Sequence, residues 1–148
     1  MKTCFFISHR DVPKSLYERL LSVVERHISE YGVTDFVVGR YGNFDRLAAR
    51  AVIEVKRHHT DVTLTLLMPY YRADAGPLPD GFDGSFFPDG LETVPKRAAI
   101  LRANQYMIHH CDYLIAYDAG RIGNTRKLVS DARKIERLHI ENVASILV

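Results

Sequence analysis

Short apolar runs alternate along the chain with segments whose apolar residues recur every three or four positions. Residues 3–7 form a continuous apolar run, which reads as a strand buried on both faces. Leu16, Leu20, Val23, Val24, His27 and Ile28 follow at helical spacing, to about Tyr31. Val12-Pro13 opens that helix, since proline suits a first turn, and Gly32 closes it. Residues 35–38 are a second strand. Leu47, Ala48, Ala51, Val52 and Val55 mark a helix over 44–58. Residues 62–68 make a third strand, stopped by Pro69. Pro95 starts a helix that runs to about His110, with Ala99, Ile100, Ala103, Met107 and Ile108 inward. Residues 112–117 are a fourth strand, 124–137 a helix and 143–148 a closing strand. Residues 70–93, rich in Gly, Pro and Asp, show no such pattern; loops of this length in compact domains usually carry function or disorder.

Five strands alternating with four helices predict one domain over residues 1–148: an α/β three-layer sandwich with a mainly parallel five-stranded sheet. Right-handed crossovers put the loop after every strand on one sheet edge. Ligands of open α/β sheets bind along that edge. Ser8-His9-Arg10, residues 39–45, Pro69-Tyr70-Tyr71 and residues 118–125 are therefore expected to converge.

Composition narrows the function classes. Twenty basic against eighteen acidic residues leave a formal charge of +2, too weak for nucleic-acid binding by bulk electrostatics. No apolar run approaches the roughly 20 residues of a membrane span. The N-terminal apolar run is cut off at Ser8-His9-Arg10-Asp11, too soon for a secretory signal. Cys4 and Cys111 make neither a disulfide framework nor a zinc spacing, and read as reduced core thiols of a cytoplasmic protein.

Two loops share one logic: strand, glycine, two variable residues, glycine, helix. In Gly39-Arg40-Tyr41-Gly42-Asn43, the backbone amides and Arg40 suit an anion at a helix start. In Gly120-Arg121-Ile122-Gly123-Asn124-Thr125, Asn124 or Thr125 either caps the helix or bonds a phosphate oxygen, with Arg121 and Arg126 adding charge. Asp45 suits ribose hydroxyls, or else complements the helix dipole. Neither loop is a P-loop or a Gly-x-Gly-x-x-Gly fingerprint. Arg10 after the first strand suits bidentate phosphate pairing, with His9 beside it. Tyr70 and Tyr71 either stack on a base or pack at the rim. Arg102 and Asn104 either reach the second glycine loop or face solvent. His58-His59 and His109-His110 fall at helix ends and lack the spacing of a metal site. The cluster Arg126, Lys127, Arg133, Lys134 and Arg137 reads as a solvated helix face.

The order His9-Arg10, then Val38-Gly39-Arg40-Tyr41-Gly42-Asn43-Phe44-Asp45-Arg46-Leu47-Ala48-Ala49, resembles the YpsA-like branch of the SLOG superfamily. So do Phe87-Pro88-Asp89-Gly90-Leu91-Glu92, Val94-Pro95-Lys96-Arg97, and Arg102-x-Asn104-x-x-Met107 ahead of residues 111–117. The resemblance covers nearly the whole chain. It implies a Rossmann-like fold and a nucleotide or nucleotide-derivative ligand, of the ADP-ribose or NAD kind. It also implies a homo-oligomer. Ser8, His9, Arg10, residues 39–43, Asp45, Tyr70, Arg102, Asn104, Gly120, Gly123, Asn124 and Thr125 are the expected ligand-binding set, with no metal. The chain departs from the family's pattern in two places. Ser8 stands where the family commonly has Gly, and Arg40 and Asn43 interrupt paired glycines. Lys127 falls where the LOG phosphoribohydrolases carry a catalytic Glu. Cleaving an N-glycosidic bond requires a carboxylate near the sugar. A non-catalytic binding or sensing module is therefore the first expectation. A LOG-type hydrolase is the alternative, with Asp45, Asp118 or Glu92 in that role.

Overall fold

The computed structural model describes residues 1–70 and 76–144. Thr3–Ser8 (β1) is an inner strand of a parallel sheet completed by Asp35–Val38 (β2), Thr63–Leu67 (β3), Gly84–Phe86 (β4), Tyr113–Tyr117 (β5) and His139–Asn142 (β6). The strand order is β4-β3-β2-β1-β5-β6, and every pairing is parallel. The helices are Tyr17–Ser29 (α1), Asn43–Lys56 (α2), Lys96–His110 (α3) and Asn124–Ala132 (α4). The result is the expected Rossmann-like α/β sandwich, with six strands rather than five.

The continuous apolar character of β1 follows from burial on both faces. Cys4 and Phe6 point to one core, with Leu20, Val23 and Val24 of α1 and Phe44, Ala48 and Val52 of α2. Phe5 and Ile7 point to the other, with Ala103, Met107 and Ile108 of α3 and Leu128, Val129 and Ala132 of α4. A strand's side chains alternate between faces, so a doubly covered strand must be apolar at every position. Chain direction and handedness together explain the layers. The chain steps outward from β1 to β4 with α1 and α2 on one face. It then returns to β5 on the other side of β1, which puts α3 and α4 on the opposite face.

Several boundaries differ from the sequence expectation. Lys14–Leu16 is a single turn of 3₁₀ helix, so α1 begins at Tyr17 and not at Val12-Pro13. α4 ends at Ala132, well before Arg137, in successive tight turns closed by Lys134 N–H to Asp131 O and Ile135 N–H to Ala132 O. A strand runs over residues 139–142, and Val143 and Ala144, expected to open the closing strand, lie in a turn; the rest of that expected strand, residues 145–148, lies outside the described residues.

The sixth strand comes from the stretch expected to be irregular. β4 pairs with β3 through Thr65–Gly84, Leu66–Ser85 and Leu67–Phe86. Asp83 fixes its approach: its carboxylate accepts the Leu64 N–H at 2.8 Å and the Lys56 ammonium at 2.5 Å. Those two donors hold the Asp83 carboxyl below its ordinary range. Residues 81–86 are thus tied to α2 and β3 at several points.

Candidate functional site

A cleft of about 360 Å³ opens at the C-terminal ends of the strands. It lies over β1, between β2 and β5, where the strand order reverses direction. Its floor is β1 itself, through Phe5, Phe6 and Ile7. Ser8, His9 and Arg10 continue from that floor to one wall. Gly39, Tyr41, Gly42 and Asp45 come from the β2–α2 turn. Asn124, Thr125 and Leu128 come from the start of α4, and Leu67 and Pro69 from the end of β3. The remaining wall is α3, with Arg97, Ile100, Leu101, Ala103 and Asn104.

Backbone packing sets the β2–α2 turn. Phe44 is fully buried against Phe6 and Tyr117, with ring centroids 6.2 and 6.5 Å away, and so pins the first turn of α2 behind the cleft. Gly42 passes close beneath the β1 loop. A Cβ there would stand 2.6 Å from the Arg10 carbonyl oxygen, a contact only glycine avoids. The Asn43 N–H donates to that same Arg10 carbonyl at 3.3 Å. The Asn43 side chain points to the β1 loop rather than into the cleft: it accepts from Val12 N–H and donates to Val12 C=O.

Asp45 is a half-buried carboxylate on the cleft wall. Its Oδ2 accepts the Tyr41 N–H at 2.9 Å, which orients it across the turn. Burial pushes its pKa up to about 6, against the pull of that bond and of Arg46.

The β5–α4 loop is tied down at three points. Thr125 Oγ1 donates to the Ser8 carbonyl at 2.8 Å, so its hydroxyl joins the two loops instead of capping α4. The Ala119 N–H donates to His9 Nε2 at 3.0 Å. Asn142 holds the Asp118 backbone on both polar groups at 3.0 Å each. Gly123, at φ +151°, turns the chain into α4 without a side-chain cap. The first turn of α4 holds no acidic residue, while Arg121, Arg126 and Lys127 stand exposed around it. Cations beside the positive end of a helix dipole are unfavourable unless an anion joins them.

Ten of the expected residues thus line one cleft: Ser8, His9, Arg10, Gly39, Tyr41, Gly42, Asp45, Asn104, Asn124 and Thr125. The others are placed elsewhere. Arg40 lines a second groove beside Met68, Pro77 and Phe87. Tyr70 carries the Lys96 ammonium 5.2 Å above its ring, and Arg102 is exposed on α3. Gly120 and Gly123 shape the loop behind the cleft, and Asp118 stands behind it too, accepting the Gly120 N–H. Tyr71 lies outside the described residues. Glu92 and Lys127 are exposed outside the cleft. His59 bonds Glu25, while His109 and His110 bond carbonyls one helical turn back, as helix-end residues do. Arg97 and Leu101 were not among the expected site residues, although Pro95 two positions before Arg97 marks the helix start that carries it to the cleft.

Cys4 and Cys111 are free and buried, and burial raises both thiols, Cys111 to about 12. Neither is a nucleophile in this state. No described helix is long and apolar enough to cross a membrane. No protein-family model matches the chain, and no characterised protein matches it in sequence.

Proposed function

We propose that this chain binds a nucleotide or nucleotide derivative, of the ADP-ribose or NAD kind, as a binding or sensing module. The observation that carries the reading is the location of the cleft at the β1/β5 reversal of strand order, where open α/β sheets hold such ligands. The groups around it match the parts of the ligand. The uncapped, cation-rich start of α4 suits phosphate, with Arg10 and Arg97 on either side. Asp45 suits ribose hydroxyls. Leu67, Pro69, Ile100 and Leu101 offer an apolar wall to a base, and Asn104 a polar group for its edge. The resemblance to the YpsA-like branch of the SLOG superfamily points the same way.

A hydrolase is the second reading, and one observation favours it. A carboxyl with a pKa near 6 inside a cleft can hold or release a proton near neutral pH, as general acid–base work requires. A homo-oligomer and a cytoplasmic location complete the proposal; the two buried free thiols are in keeping with a reducing compartment.

The test is a thermal-shift series with AMP, ADP, ATP, NAD, ADP-ribose and cyclic nucleotides, followed by chromatography of the recovered ligand. A stabilising ligand recovered intact, with the shift lost in Arg10→Ala, supports the binding module. A cleaved ligand promotes the hydrolase. No shift with any of them contradicts the nucleotide reading.

A further inference from the structure

We propose that the groove beside Arg40 is a second ring subsite, so that the chain takes a dinucleotide with one base in the cleft and the other in the groove, its diphosphate crossing the turn between them. This inference rests on the reading above that a nucleotide fills the cleft. The groove holds about 330 Å³, close to the 360 Å³ of the cleft. Its described walls are mostly apolar: Leu66 and Met68 at the end of β3, Pro77 and Leu78, and Phe87 just after β4. Arg40 is the one charged side chain among the described residues that line it. Such a hollow suits a flat ring against Met68 and Phe87, with an anion at its rim.

The two hollows lie back to back. Gly39 and Tyr41 line the cleft, while Arg40 between them lines the groove. Leu67 and Pro69 line the cleft, while Leu66 and Met68 line the groove. Side chains of a strand alternate between faces. Leu67 belongs to the core under α3 and α4, whereas Leu64, on the same side of β3 as Leu66, belongs to the core under α1 and α2. The groove therefore opens on the other face of the sheet from the cleft, across the ends of β2 and β3. Consecutive Cα atoms along that rim are about 3.8 Å apart, so a single backbone divides the two spaces at Gly39-Arg40-Tyr41.

The charges at this divide suit a linker that crosses it. Arg10 lines the cleft on one side of the β2–α2 turn, and Arg40 lines the groove on the other. Both are exposed, and among the described residues neither guanidinium has an ion pair or a hydrogen-bond partner. Asn43 N–H, bonded to the Arg10 carbonyl, keeps the Arg10 backbone against the turn. Guanidinium groups pair with phosphate in a bidentate way, so two of them flanking one glycine turn match the two phosphates of a diphosphate.

Ser85 supplies the test. It is exposed, lines the groove and pairs with Leu66 in the β3–β4 ladder, so a phenylalanine there would fill the hollow without entering a core. Titration calorimetry on the full chain compares AMP, ADP-ribose and diadenosine diphosphate, which is ADP-ribose with one further adenine. Diadenosine diphosphate should bind about tenfold tighter than ADP-ribose, and it alone of the three should shift the Ser85 and Phe87 amides. Ser85→Phe should bring its affinity down to that of ADP-ribose and leave ADP-ribose unchanged. Arg40→Gln should weaken both diphosphates more than AMP. Equal affinities for the two diphosphates, or equal losses for both in Ser85→Phe, overturn the second subsite alone. Ser85 and Phe87 amides that shift with protein concentration and not with dinucleotide assign the groove to a second copy of the chain, and also overturn it. Binding of none of the three overturns the cleft reading, and the second subsite with it.

Discussion

Asn43 holds both backbone polar groups of Val12. Its Oδ1 accepts the Val12 N–H at 2.9 Å and its Nδ2 donates to the Val12 C=O at 2.7 Å. The start of α2 and the loop after β1 are thereby one rigid unit, and Arg10 is carried in it. Asn43→Ala removes both bonds and leaves the groups of a buried residue unpaired, at a cost of about 2 kcal/mol in stability. Chemical denaturation of the two proteins measures it. Asn43→Asp keeps the acceptor and loses the donor, and should fall between them.

Gly42 makes the neighbouring contact, and the reason is space rather than dihedral angle: its φ of −169° is ordinary extended backbone. A methyl group there meets the Arg10 carbonyl, which is backbone and cannot swing aside. Gly42→Ala should cost about 1–3 kcal/mol and weaken ligand binding together with stability. Gly39→Ala is the milder control, since its Cβ would meet Asp45 Oδ2 at 3.2 Å, a side-chain atom.

Asp45 costs the fold stability at neutral pH. Its pKa rises from 3.8 to about 6 on folding, so the folded state holds the proton more tightly than the unfolded one. The stability this contributes is full below about pH 3.8 and is lost as pH rises through about 6. Asp45→Asn can still accept the Tyr41 N–H. It should therefore gain up to about 3 kcal/mol at pH 8, a gain that vanishes at pH 4. Thermal melts across that range read it out. The same substitution should abolish ribose-dependent binding, the trade expected of a functional carboxylate.

His27 gives the opposite pH profile. It is fully buried, its Nδ1 donates to Val23 O at 2.8 Å, and Nε2 has no hydrogen-bond partner. Burial lowers its pKa below the ordinary value of 6.5. The unfolded state then binds the proton first, so its contribution is full above about pH 6.5 and is lost as pH falls through the lower folded value. In His27→Phe the midpoint of denaturation should depend less on pH below 6.5. An unchanged slope would show that the acid limb comes from other groups.

The inner strands and the cleft's principal loops were legible because burial on both faces leaves an unbroken apolar signal, as in residues 3–7 and 112–117. The edges were not. Ser85 is exposed and Gly84 only half-buried in a three-residue strand, and β6 reads His139-Ile140-Glu141-Asn142 because one side of it meets solvent. Periodicity detects what is buried, and an edge strand is held by backbone pairing that leaves little trace in side chains. At the site, Asp45 and Arg10 followed from position after a strand. Thr125 was named from its loop too, but its bond to Ser8 was not legible, since it joins two loops 117 residues apart. Ile100 read as core and instead lines the cleft half-buried, because α3 crosses the point where the strand order reverses.

The central claim is that a nucleotide sits over β1, between the β2–α2 turn and the start of α4. Amide chemical-shift mapping with ADP-ribose and AMP on the full chain tests it most directly. The account predicts perturbations concentrated at Ser8 to Arg10, Gly39 to Gly42 and Asn124 to Arg126, reduced in Asp45→Asn. No perturbation, or shifts gathered instead at the groove of Pro77, Leu78 and Phe87, would contradict it.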